Sequence, residues 1–204
     1  MKRERLTLSS MRLTTLCVLA SALLPSLSRA QAPVFVISTE ESSLTFYVKA
    51  NVSLTGKFDQ WDATLTYPST DATAGVLAIK IPADSVNTGS GMKNGKLKDK
   101  DFFDVKEYPV ITFVSKKVVQ TGPNTFEVQG DFTIRGVSKP QSLSLTLSGG
   151  KGLGSGEIKG TMAFDRKDYG MTHNIPLMKV ADRVEVTADL KVKRVSGPPL
   201  VFKE

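Results

Sequence analysis

His173 is the only histidine in the chain and Cys17 the only cysteine. One of each, with Cys17 inside an apolar leader, leaves no partner for a Cys–His dyad and no set of soft metal ligands. His173 lies in a loop, 169–176, beside Asn174, where a solvated polar side chain is the simplest role. Carboxylates are more numerous: Asp99, Asp101 and Asp104 form one cluster, Asp165 and Asp168 another. A calcium loop needs alternating oxygen ligands, a turn glycine and a closing glutamate, and neither cluster has that order. The glycines between 149 and 156 lack the Gly-Lys-Ser/Thr ending of a phosphate loop, as does Gly95-Lys96-Leu97, and no G-x-S-x-G occurs. Lys93, Lys96, Lys98 and Lys100 suit either a solvated basic face or an anionic headgroup. An enzyme acting on such a headgroup would have to rely on Asp168 with Arg166 or His173. This inventory is too thin for catalysis, so no catalytic residue, metal or cofactor is assigned, and the chain reads as a non-enzyme.

Apolar chemistry is better represented. Asp101-Phe102-Phe103-Asp104 places two adjacent aromatics amid charges, followed by Tyr108-Pro109 and an alternating strand. Two phenyl rings in a polar segment need an apolar place to dock. They either plug one end of a core or close over a bound hydrophobic chain. Trp61 and Tyr67 carry the same two readings.

The elements around that pair are strands. Period-two alternation dominates, most clearly at 184–193, where Val184, Val186, Ala188, Leu190 and Val192 share one face. Phe126, Val128, Gly130, Phe132 and Ile134 repeat it, as do Leu143, Leu145 and Leu147, and Ile158, Gly160, Met162 and Phe164. Further strands are expected at 44–53, 57–67, 75–82 and 110–120, with a short extra run at 34–37. Gly122-Pro123-Asn124 and Gly136-Val137-Ser138 read as hairpin turns. Alternation on one face predicts antiparallel strands around one interior, and eight can close into a barrel with room for side chains or one slender ligand. The exception is 85–109, where 92–100 could form a short helix inserted between the fourth and fifth strands. The fold class expected is therefore all-β, a single eight-stranded antiparallel barrel. Asn51-Val52-Ser53 matches a glycosylation sequon inside a strand and is read as chance.

The N-terminus reads as an address. Lys2, Arg3, Arg5 and Arg12 precede an uncharged, mostly apolar run from Leu13 to Leu27, and Ala30-Gln31-Ala32 offers a small-residue cleavage site. Met11 is an alternative start. The run is short for a membrane span, and no later stretch could cross a bilayer. The whole chain has 27 basic and 20 acidic residues. Residues 1–32 take five basic and one acidic with them, leaving 22 against 19, a net of +3. The basic character is partly the leader's, so the case for a nucleic-acid partner dissolves. Residues 1–32 are thus read as a cleaved signal peptide, 33–197 as one domain and 198–204, after Pro198-Pro199, as a loose tail.

Four segments together resemble the YceI-like family of exported polyisoprenoid-binding proteins. They are Asp101-Phe102-Phe103-Asp104 with Tyr108-Pro109-Val110-Ile111-Thr112-Phe113; Gly130-Asp131-Phe132-Thr133-Ile134-Arg135-Gly136-Val137-Ser138-Lys139; Phe164-Asp165-Arg166-Lys167-Asp168-Tyr169-Gly170-Met171; and Ser85-Val86-Asn87-Thr88-Gly89. The resemblance spans about 34–194. It implies a lipocalin-like barrel whose hydrophobic tunnel holds quinone- or polyprenyl-like lipids in the periplasm, with secretion as the alternative. Two departures stand out: Lys49-Ala50-Asn51 lacks a histidine the family often carries, and Met92-Lys93-Asn94-Gly95-Lys96 lacks its Arg-Asp and histidine. Tunnel-lining residues expected from the apolar faces are Phe46, Val48, Leu77, Ile79, Phe113, Phe132, Ile134, Leu145, Phe164 and Leu190, with Phe102 and Phe103 as the seal. The rival to a carrier of a long-chain isoprenoid is a protein-binding module whose barrel is filled by its own side chains.

Overall fold

A computed structural model describes residues 32–51, 53–149, 154–174 and 179–203. The expected signal peptide and Val52 of the sequon lie outside the described residues.

Ten strands form one sheet: β1 (Val34–Ala50), β2 (Leu54–Phe58), β3 (Asp62–Thr66), β4 (Val76–Pro82), β5 (Val86–Asn87), β6 (Val110–Gly122), β7 (Thr125–Ile134), β8 (Val137–Gly149), β9 (Ser155–Asp165) and β10 (Val180–Ser196). Pairing runs β10-β9-β8-β7-β6-β4-β3-β1, and β10 pairs back onto β1, so the sheet closes. β2 and β3 lie end to end along the same edge of β1, and β5 continues the line of β4 beside β2. The wall therefore has eight antiparallel strands around its circumference, two of them interrupted. This is the barrel the alternation predicts.

The run at 34–37 is not a separate strand. It is the first half of β1, continued through Ser38-Thr39-Glu40-Glu41-Ser42-Ser43, where pairing with β10 slips between Ser38 and Ser43. The Ser42 hydroxyl donates to the Ser38 carbonyl (2.5 Å) and accepts from the Lys191 N–H (2.8 Å), so the bulge keeps its polar groups satisfied. Merging the two runs puts the inserted segment between the third and fourth wall strands rather than the fourth and fifth. The β7–β8 turn also falls one residue earlier than expected. Ile134 pairs with Val137, leaving Arg135 (φ 52°) and Gly136 (φ 70°) as a two-residue turn. Two positive φ values are what matches the right-handed twist of a tight hairpin.

The insertion carries the described helix, α1 (Gly91–Lys98), and then turns back through 99–109. It packs where β5 ends short of β6, with the Ala83 N–H donating to the Pro109 carbonyl (2.9 Å). The segment after Pro198-Pro199 docks instead of hanging loose. Leu200 is buried, the Val201 N–H donates to Thr70 O (2.8 Å), and Ala72 N–H donates to Val201 O (3.1 Å). Gln120 brackets Lys203, donating to its carbonyl and accepting from its N–H, both at 2.8 Å. Apolar burial outweighs the proline signal there. No helix among the described residues is long and apolar enough to cross a membrane.

Candidate functional site

Inward side chains of the wall strands enclose an apolar bore. Its larger cavity has about 980 Å³ of empty space, including the part that opens to solvent. Phenylalanine rings reach into it from several strands and narrow it to a slot, and its wall is apolar except at Arg166. Phe46 and Val48 on β1, Ile79 on β4, Phe113 on β6, Phe132 and Ile134 on β7 and Phe164 on β9 all line it. So do Phe102 and Phe103, which the turn after α1 carries inward. Their backbones are fixed by Phe102 N–H to Asp99 O (3.0 Å) and Phe103 N–H to Leu97 O (2.9 Å). Phe103 stacks at a tilt on Phe58 (6.0 Å between centroids), and Phe58 on Phe46 (5.7 Å). The aromatic pair is both core and cavity wall.

Three of the twelve expected residues fall elsewhere. Leu77 and Leu145 line a second, smaller apolar cavity with about 410 Å³ of empty space, next to Tyr67, Phe126, Val128 and Phe202. Leu190 is 2% exposed and lines neither. Alternation assigns a residue to the inner face but says nothing of its depth along the bore, so these three differ from expectation in depth and not in face. The same limit hides Leu44, Ile81, Ile111, Leu143, Met162 and Val184, inward residues that do line the larger cavity.

One lining residue is charged. Arg166 follows β9, is 4% exposed, and its guanidinium faces backbone instead of solvent. It donates to the carbonyls of Met171, His173 (2.7 Å), Ala181 (3.1 Å) and Val180 (3.4 Å), and pairs with Asp182 at 3.1 Å. Arg166 thereby ties the end of β9 to the backbone at 171–173 and to the start of β10. Lys167 sits 2.7 Å from Asp182, and hydrogen bonding from Lys167 holds that carboxyl below its ordinary range.

Around the rim the polar groups pair with each other. Lys96 Nζ lies 2.5 Å from Asp101, whose pKa it lowers through that hydrogen bond, and 5.9 Å from the Phe102 ring centre. His173 Nδ1 is 3.8 Å from the same carboxylate. Asp168 points to Lys139 (3.4 Å) on the outside. The three groups considered for headgroup chemistry are therefore dispersed: Arg166 on carbonyls, His173 on Asp101, Asp168 on Lys139. Among the described residues no three of His, Cys, Asp or Glu gather closely enough to hold a metal ion. The phenol in the second cavity, Tyr67, is pushed up to about 12 by burial.

Fold and site together define a closed antiparallel β-barrel with an apolar internal cavity. A family model described as the YceI-like domain matches residues 35–192, and the chain belongs to that family. A UPF0312 protein of Pseudomonas savastanoi pv. phaseolicola is 31% identical over 131 residues, 62% of this chain and 68% of the relative. The crystal structure of Burkholderia cenocepacia BcnA superimposes with a TM-score of 0.69 at 25% identity, covering 77% of this chain and 99% of that one. A polyisoprenoid binding domain from Saccharophagus degradans gives a TM-score of 0.62, covering 79% and 99%; at 19% identity it supports the fold alone.

Proposed function

We propose that the protein binds a long-chain isoprenoid, quinone- or polyprenyl-like, or a similar amphiphile in its bore, and carries or sequesters it without catalysis. The observation that carries this reading is the slot itself: narrow, apolar but for one buried and hydrogen-bonded arginine, and lined by Phe102 and Phe103. A headgroup would stay near the rim while shape and apolarity select the chain. Burying several hundred Å² of an octaprenyl-sized chain is worth roughly 10–15 kcal/mol gross at about 25 cal/mol per Å². Ordering the chain takes back much of that, leaving an affinity between about micromolar and nanomolar. The Lys/Arg-rich start and the Ala30-Gln31-Ala32 site support export, to the periplasm or beyond it.

A second reading rests on one observation. Phe46, Phe58, Phe103, Phe113 and Phe132 crowd the bore, and the rings of Phe46, Phe58 and Phe103 stack in tilted contact, as in a barrel filled by its own side chains with a protein as the true partner. Native mass spectrometry of protein purified from its own host's exported fraction, followed by organic extraction, separates the two. A stoichiometric isoprenoid mass on a chain shortened by the leader is the expected result. A ligand-free mass that stays unchanged after adding polyprenols and quinones would overturn the carrier reading.

A further inference from the structure

The two cavities share one bore. On β4, β7, β8 and β9, inward positions of the same face serve first one and then the other: Leu77 and Ile79, Val128 and Phe132, Leu145 and Leu143, Ile158 and Met162. Between Ile158 and Met162 the inward position is Gly160, and the vacant space above it is taken by the tips of Leu145 and Leu143, 3.1 and 3.4 Å from where a Cβ would lie. On the β8–β9 side the divider is thus made of leucine side chains, which change rotamer. On β7 the inward position between Val128 and Phe132 is Gly130, and there the divider is the β6 backbone at Val114 and Ser115 with the tip of Phe113. Beyond it the far cavity is closed by the C-terminal segment. Phe202 forms part of its wall and meets Phe126 edge-on with 6.0 Å between centroids, while Val201 faces outward. That closure is pinned on both flanks, by the 70–72 backbone on one side and by Gln120 on the other.

Resting on the carrier reading above, we propose that Phe202 is the floor of the bore and sets the length of isoprenoid chain the protein accepts. A chain entering past Phe102 and Phe103 fills the larger cavity, displaces Leu145 and ends against Phe202. Each further isoprene unit that finds apolar space tightens binding by about tenfold, since five buried carbons outweigh the entropy of ordering them. A unit that meets the floor gains nothing. Leu145 and Phe202 are then specificity-determining residues, and the docked C-terminus is a functional part of the barrel.

The test is a competition. Synthetic ubiquinones with two to ten isoprene units are mixed in equal amounts with delipidated full-length protein, and native mass spectrometry reads which homologues are bound. In the wild-type chain the bound population should rise with length to a limit and then fall. Phe202→Ala should move that limit to longer homologues by at least one unit. Leu145→Phe, which narrows the far cavity without touching the C-terminal segment, should move it to shorter ones. Should Phe202→Ala fail to fold, Leu145→Phe still decides. Identical distributions in the wild type and the folded variants would overturn the floor while leaving the carrier reading standing. No homologue bound by the wild type at all would overturn the carrier reading, and the floor with it.

Discussion

Arg166 shows how one buried residue holds together the backbone around it. Its guanidinium meets four carbonyls and the Asp182 carboxylate, so truncation strands buried acceptors as well as removing a charge. Arg166→Met should lower unfolding free energy by about 3–5 kcal/mol, read by urea titration. Lysine at this position should not rescue it, because one ammonium cannot reproduce a planar fork. Acid sensitivity comes from the carboxylates. Hydrogen bonds lower the pKa of Asp182 (from Lys167), Asp101 (from Lys96) and Asp71 (from the Thr73 backbone). A depressed folded-state pKa contributes stability that is complete above the unfolded value of 3.8 and disappears as pH falls through the folded value. Melting temperature should therefore hold steady from about pH 7 to about 5 and fall below about pH 4, and Asp182→Asn should shallow that fall; an unchanged slope would remove Asp182 from the account. Phe102 and Phe103 belong to the core as well as to the cavity wall: at 3% and 8% exposure, truncating either to alanine costs about 3–5 kcal/mol. Phe103→Leu is the cleaner probe of sealing, expected to speed ligand loss while keeping the barrel folded.

The insertion is the least secure element of the wall. In Gly91–Lys98 only Leu97 is buried, and a Cβ added at Gly91 or Gly95 would meet nothing within 4 Å. Neither glycine needs the left-handed backbone, so each weakens the helix with no packing in return. Gly95→Ala should raise stability by about 0.5–1 kcal/mol. Because this helix carries the turn that holds Phe102 and Phe103, the same change should slow ligand release, measured as the dissociation rate of a bound polyprenol; a faster or equal rate would detach α1 from gating. Element by element, legibility in the sequence tracks the physics of each signal. β7, β9 and β10 are plain because half-buried antiparallel strands must alternate. The bridge through Ser38–Ser43 is not, since a bulge there is stabilised by hydroxyl contacts to the neighbouring strand and leaves no apolar period. The docked C-terminus is hidden by Pro198-Pro199, which signals a break in regular structure but carries no information on where Leu200 and Phe202 pack. Leu77, Leu145 and Leu190 take the expected face at an unexpected depth, for depth depends on the stagger of strands around the barrel.

At the scale of the whole molecule, closure and cavity are one problem. β1 and β10, 17 residues each, seal the barrel along almost their full length, so the bore is enclosed by the longest-range pairing in the chain. A barrel that encloses a slot leaves its lining short of contacts, and unfilled space costs about 24 cal/mol per Å³ in engineered cavities. An apolar guest that fills the slot restores those contacts only in the folded state. Its stabilisation obeys mass action: a ligand present at about 100 times its Kd adds about 2.7 kcal/mol. For a chain of this length that corresponds to roughly 5–10 °C in melting temperature. Protein purified with its native lipid should therefore melt higher than the same protein after organic extraction and refolding, and the difference should return on adding a polyprenol of accepted length. Short ubiquinones should return less of it than long ones, up to the limit set at Phe202. Equal melting temperatures before and after extraction, with the extracted lipid absent, would instead describe a barrel that its own phenylalanines complete.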